Sequence, residues 1–159
     1  MIEGCVDKTK SAAGAGKLLA FLLLLQLGST GCSSFNHAWR KAGSAPSQGI
    51  EGRWDGTWSS STNGHRGRLR GLLTRNRDGG YLARFHANYL KIFRFTYTVP
   101  LTVREADGSY QFDGSANLGR LAGGRYQYEG RATPTNFFST YQAKADGGIF
   151  EMKRPPASE

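Results

Sequence analysis

Ile50-Glu51-Gly52-Arg53-Trp54-Asp55-Gly56-Thr57-Trp58-Ser59 decides how this chain is read. Ile50, Gly52, Trp54, Gly56 and Trp58 alternate with Glu51, Arg53, Asp55, Thr57 and Ser59, and a period of two puts the first set on one face of a half-buried strand. The alternation recurs downstream, with Gly67, Leu69, Gly71 and Leu73 against Arg66, Arg68 and Arg70, then Tyr81, Ala83, Phe85 and Ala87 against Arg84, His86 and Asn88. Phe93, Phe95, Tyr97, Val99, Leu101 and Val103 form a longer strip. It contains Pro100, whose missing N–H implies an edge or a bulge.

Turn residues separate these runs. Asp78-Gly79-Gly80, Asp107-Gly108 and Asp146-Gly147-Gly148 offer the positive φ of tight hairpins, and Gly123-Gly124 and Pro134-Thr135-Asn136 mark two further turns. About eight strands result, over 50–60, 66–76, 80–88, 92–105, 109–117, 124–133, 137–145 and 148–154. Tyr110-Gln111-Phe112-Asp113-Gly114-Ser115-Ala116 repeats as Tyr126-Gln127-Tyr128-Glu129-Gly130-Arg131-Ala132. Antiparallel pairing of the two copies would set the rings of one beside the glycine of the other. Inward glycines at 52, 56, 67, 71, 114 and 130 suit a sheet that coils strongly and closes, so the expected fold is all-β, a small antiparallel up-and-down barrel. A two-sheet sandwich is the alternative. No helical period stands out after the leader.

Residues 1–31 read as an export signal. Lys8, Lys10 and Lys17 precede the apolar run Leu18–Leu27, which ends in Gly28-Ser29-Thr30-Gly31 before Cys32. Ten helical residues span about 15 Å, half of a hydrocarbon core of about 30 Å. Gly-Ser-Thr-Gly-Cys-Ser-Ser resembles the lipobox of bacterial lipoproteins, with Cys32 as the acylated residue and Ser29 where the family usually has leucine. The resemblance implies a lipid anchor at the cell envelope, and Ser33 after the cysteine implies the periplasmic face of the outer membrane. Cleavage by ordinary signal peptidase, giving a soluble secreted protein, is the alternative, as is an uncleaved anchor. Cys5 falls within the leader, so Cys32 would be the one thiol of the mature chain, and acylation accounts for it. Residues 32–49, rich in Ser, Ala and Gly, read as a flexible tether, 50–154 as the barrel and 155–159 as a disordered tail. Phe35 and Trp39 in the tether could rest in the lipid interface.

The chain has 159 residues, 38% hydrophobic and 12% aromatic, enough for one domain whose core rests on large rings. The first strand's Gly56-Thr57-Trp58, the hairpin order, and the terminal Gly148–Arg154 strand with its late arginine resemble a small lipocalin-like or calycin-like barrel. That resemblance implies binding of a small apolar or lipid-like ligand. The candidate lining is Trp54, Trp58, Tyr81, Phe85, Tyr97, Tyr110, Phe112, Tyr126, Tyr128 and Tyr141, with Gly56, Gly71, Gly114 and Ala116 leaving room. Barrels of eight strands either fill themselves or hold one small ligand, and the composition suits both.

Removing residues 1–31 deletes three lysines and two acids from the 21 basic and 12 acidic residues of the chain, so the folded part stays strongly basic. Arg66, Arg68, Arg70 and Arg84 form a candidate anion-binding face. Behind an export signal such a face points to anionic lipid, polymer or a protein partner rather than nucleic acid. A packed accessory barrel using it is the alternative function. His37, His65 and His86 have no nucleophile or carboxylate at a catalytic spacing, and there is no Gly-x-Ser-x-Gly, P-loop or HExxH motif, so neither an enzyme, a cofactor nor a metal is expected. Asp113 and Glu129, equivalent in the repeat, are expected to point outward beside Arg131 or Arg120.

Overall fold

The computed structural model describes residues 29–43, 48–89 and 93–156, with the side chains of 29–33, 93 and 121 outside that description. Most of the expected leader therefore lies outside the described residues. The barrel belongs to a compact unit that begins at Cys32. One helix, α1 (Ser29–Gly43), precedes β1 (Gly52–Ser60), β2 (Arg66–Arg75), β3 (Tyr81–Tyr89), β4 (Phe93–Ala106), β5 (Ser109–Asn117), β6 (Arg125–Ala132), β7 (Asn136–Gln142) and β8 (Gly147–Lys153), and a 3-10 turn at Arg120–Ala122 joins β5 to β6. The strands are antiparallel in sequence order, and β8 pairs with β1 to close the barrel. The expected barrel is the observed fold, and the sandwich is not.

Alternation does what the sequence implied. Trp54, Trp58, Leu69, Leu73, Phe85, Val99, Phe112, Tyr128, Phe137 and Phe150 point inward into one buried cluster. The outer wall carries Asp55, Arg68, Arg104, Asp113, Glu129 and Glu151, and such a wall is not the apolar band that a membrane-spanning barrel turns to lipid. Among the described residues, no helix is long and apolar enough to cross a membrane. The repeat pairs antiparallel, with Tyr110 opposite Ala132, Phe112 opposite Gly130, Gly114 opposite Tyr128 and Ala116 opposite Tyr126. A Cβ at Gly130 would lie 2.5 Å from the Phe112 ring, so that ring occupies the place of a missing side chain.

Two turn assignments part company. Asp107 and Gly108 both have positive φ, 52° and 71°, as a tight hairpin requires. Gly147 and Gly148 do not; they open β8, and a Cβ at Gly148 would lie 2.7 Å from the Tyr141 hydroxyl.

The stretch read as a tether is corrected more substantially. Residues 29–43 are helical, and Phe35, Ala38, Trp39 and Ala42 recur at the i, i+3, i+4, i+7 spacing of an amphipathic stripe, hidden from the sequence reading because two of the four are alanine. The stripe packs on Leu72, an apolar residue among the arginines on the outer face of β2. Phe35 and Trp39 are thus buried against protein and do not project as free interface anchors. Arg40 and Lys41 in the last turn favour the helix dipole. The expected tail is likewise tied at its start, since Arg53 Nη2 donates to the Pro156 carbonyl at 3.2 Å.

Candidate functional site: an aromatic mouth

The two ends of the barrel are built differently. At one end Trp54, fully buried, donates from Nε1 to the Ile50 carbonyl at 2.9 Å and packs on Phe137 at 5.6 Å between centroids. Arg154 lies over the Trp54 ring at 4.0 Å and donates to the carbonyls of Gly49 (2.7 Å), Pro134 (3.0 Å), Arg53 (3.3 Å) and Glu51. This end is plugged. The late arginine that follows β8 thus caps Trp54.

At the other end the wall parts. β4 pairs with β3 from Phe93–Leu101 against Tyr89–Tyr81, but with β5 only from Leu101–Ala106 against Gly114–Ser109. β5 continues to Asn117 beside β6. The β4–β5 ladder stops at Pro100, which has no N–H to extend it. The expected edge at this proline is real: on the side facing β5, β4 is unpaired from Phe93 to Pro100.

Above the parting lies a cavity of about 1120 Å³ open to solvent, lined by Trp58, Tyr89, Phe95, Tyr97, Tyr126, Tyr128, Tyr141 and Phe150 among others. Phe95 stands in the mouth with half its surface exposed. The rings are ordered. Trp58 stacks on Tyr89 at 5.8 Å and 16°, while Tyr128 lies within 26° of parallel to both Tyr97 and Tyr126. Trp58 Nε1 donates to the Asn88 carbonyl at 3.0 Å, and the Tyr89 hydroxyl is 2.6 Å from His65 Nδ1. Asp146 accepts from Ser60 Oγ at 2.6 Å, from its neighbour Gly147 N at 2.9 Å and from the Tyr141 hydroxyl at 3.4 Å.

Of the ten expected lining residues, Trp58, Tyr97, Tyr126, Tyr128 and Tyr141 meet at this cavity. Trp54, Phe85 and Phe112 instead belong to the packed core below it, Tyr110 packs half-buried against that core, and Tyr81, paired with Leu101 and covered by Arg75, sits toward the plugged end. The opposed expectations of a filled and an open interior are each met in one half. The room does not come from Gly56, Gly71 and Gly114. A Cβ at Gly56 would strike the β8 backbone, one at Gly71 would lie 3.3 Å from Phe85, and one at Gly114 would meet Leu101, so neighbours already fill those places. Tyr89, Phe95, Phe150, Arg94, Arg120 and Asp146 are among the other residues that line it. Tyr89 is the next inward position after Phe85 and Ala87, one residue beyond the expected end of the strand at 88.

Burial is the main reason that the phenols of Tyr97, Tyr126, Tyr128 and Tyr141 hold their protons above the ordinary value, with the Asp146 charge adding to the effect at Tyr126 and Tyr141. They are neutral hydrogen-bond donors at physiological pH. Phenols in the unfolded chain ionise near 10, so this contribution to stability is complete below that pH and is lost as pH rises from 10 through the folded values. The urea midpoint should therefore fall between about pH 9 and 11.5, and phenolate absorbance at 295 nm should lag behind that of the urea-unfolded chain. Coincident titrations of folded and unfolded chain would contradict this.

The arginine face is not the free row expected. Arg68 pairs with Asp55, its Nε 3.1 Å from Oδ1. Arg70 lies 5.3 Å from both the Phe35 and Trp39 rings and donates to Asn36 Oδ1 at 2.9 Å. Arg84 lies over Phe35 at 5.7 Å and donates to Ser34 Oγ at 3.2 Å. Two of the four candidate arginines thus clasp α1, and Arg66 is exposed at the open end. Beneath α1, His86 stacks on Phe35 at 5.0 Å and meets Thr96 Oγ1 at 2.8 Å. Asp113 faces outward as expected, yet its partner is Arg104 at 3.5 Å, and Glu129 stands directly across the ladder. Among the described residues, no three His, Cys, Asp or Glu side chains gather as a metal site would need.

No family model, curated protein or solved structure matches the chain.

Proposed function

We propose that the protein is an exported envelope lipoprotein, acylated at Cys32, whose barrel is a non-catalytic binding module for a compact apolar or lipid-like guest. The observation that carries the binding reading is the aromatic cavity at the open end, held apart by the β4–β5 parting while the other end is plugged. Concave, mostly apolar walls with a few fixed polar groups are the usual form of a small-molecule site. The lipocalin-like resemblance read from Gly56-Thr57-Trp58 is in keeping with this. The lipoprotein half rests on the leader and the lipobox. Since α1 docks Phe35 three residues after Cys32, acyl chains at Cys32 hold the barrel near the bilayer, without the reach of about 50 Å that an extended tether would have given. Attachment at the periplasmic face of the outer membrane follows from Ser33 by the same family rule. The alternative, an accessory barrel using a bare arginine face, has less to rest on because Arg70 and Arg84 are engaged with α1.

The test uses N-phenyl-1-naphthylamine, a neutral probe that brightens in apolar sites, with purified full-length chain. Ala87 lines the cavity, and Ala87→Trp should put an indole among its rings, weakening the probe at least about tenfold while the far-ultraviolet circular dichroism stays unchanged. No binding by the wild-type chain, or equal binding by the variant, refutes the module. In bacteria fed an alkynyl fatty acid, the chain should take up label and Cys32→Ser should lose it. An unlabelled wild-type chain removes the anchor and leaves the binding reading standing.

A further inference from the structure

The rim of the mouth carries more positive than negative charge. Arg66 begins β2, Arg125 begins β6, and Arg94 and Arg120 line the cavity itself, all four of them exposed. Among the described residues at this end the one carboxylate is Asp146, already held by Ser60, Gly147 and Tyr141. At the plugged end, by contrast, Glu51, Asp78, Glu105 and Asp107 are interspersed with Arg75, Arg77 and Arg104. The open end therefore carries a net positive field, with Arg94, Arg120 and Asp146 as the charged groups in the cavity wall.

The shape of the free space narrows the guest further. Below Tyr128 and Phe150 the interior is filled by Phe85, Phe112, Phe137 and Trp54, so a long straight chain has no depth to enter. Near-parallel rings, with Trp58 on Tyr89 and Tyr128 beside Tyr97 and Tyr126, offer faces to a flat molecule. We infer that the mouth selects a compact, flat aromatic anion, its ring among these side chains and its carboxylate, sulfonate or phosphate at Arg94 and Arg120. This rests on the binding reading above and specifies its ligand class. Guanidinium forks suit such oxyanions, and the protonated phenols can donate to further acceptors.

Two probes that share one naphthyl-aniline skeleton separate the charge from the ring: neutral N-phenyl-1-naphthylamine and 1-anilinonaphthalene-8-sulfonate. With full-length chain, Arg94→Gln/Arg120→Gln should weaken the sulfonate about three- to tenfold at low salt and leave the neutral probe within about twofold. Raising the salt from about 10 to 300 mM on the wild-type chain should act in the same selective way, a measurement that needs no variant. Loss of both probes alike in the double variant, or a sulfonate affinity indifferent to both the variant and salt, overturns the anion preference and spares the cavity. Binding of neither probe by the wild-type chain overturns the cavity and this inference together.

Discussion

Trp54→Ala should lower the free energy of unfolding by about 3–5 kcal/mol, the range for truncating a fully buried large ring where neighbours cannot collapse into the space. Trp54 is such a case. It is completely buried, packed on Phe137, tied through Nε1 to Ile50 and capped by Arg154. Removing the ring also deprives Arg154 of its face, while its four carbonyl partners, at Gly49, Glu51, Arg53 and Pro134, keep it in place over a void. The barrel ends where its first strand, its last strand and the β6–β7 turn meet on that one guanidinium, so the loss should register in global unfolding. Arg154→Lys should recover only part of what Arg154→Ala loses, since an ammonium cannot reach several carbonyls as a planar fork does. Urea denaturation followed by fluorescence of Trp58 and Trp39 measures both. A loss under about 1 kcal/mol for Trp54→Ala would show that this end is not a structural plug.

Phe35→Ala should release α1 from the barrel. Phe35 is fully buried between His86, Trp39 and the guanidiniums of Arg70 and Arg84, and truncation of such a ring costs about 3–5 kcal/mol. A helix of this length is marginal without a docking surface, so the loss exceeds what holds it in place. The expected result is disappearance of helical circular dichroism and of hydrogen-exchange protection over residues 34–43, with the barrel amides still protected. Retained protection over that segment would contradict the docking. The same dock should weaken in acid. Burial first, then the charges of Arg70 and Arg94, lower the His86 pKa below its usual 6.5. A lowered histidine pKa gives stability that is present above 6.5 and is lost as pH falls below it, since the folded form resists taking up the proton. Wild-type α1 should therefore lose protection below about pH 6, and His86→Phe, which keeps the stack without the titration, should lose less.

Strand number, pairing order and the inward face were legible because each depends on local period and turn chemistry. A side chain two residues on must point the same way, and Asp107-Gly108 can turn with positive φ wherever the rest of the chain lies. Even the pairing of Phe112 with Gly130 followed from the heptapeptide repeat, since one strand's ring needs another strand's gap. Closure of β8 onto β1 could be argued from the glycines that allow close approach, Gly56 against β8 above all.

What escaped were relations between distant segments. Leu72, set among outward arginines, marked a covered wall, and Phe35, Ala38, Trp39 and Ala42 carried the matching stripe, but neither signal speaks alone. The cavity eluded the sequence for a related reason. Inward rings can fill a barrel or line it, and the choice turns on where one ladder stops. Pro100 ends the pairing of β4 with β5, the strands separate above it, and Tyr97, Tyr126 and Tyr128 face open space where Phe112 and Phe137 below face each other. Alternation along a strand is a property of the backbone and is written residue by residue. The space between strands depends on every wall of the barrel at once, and only the folded chain has it.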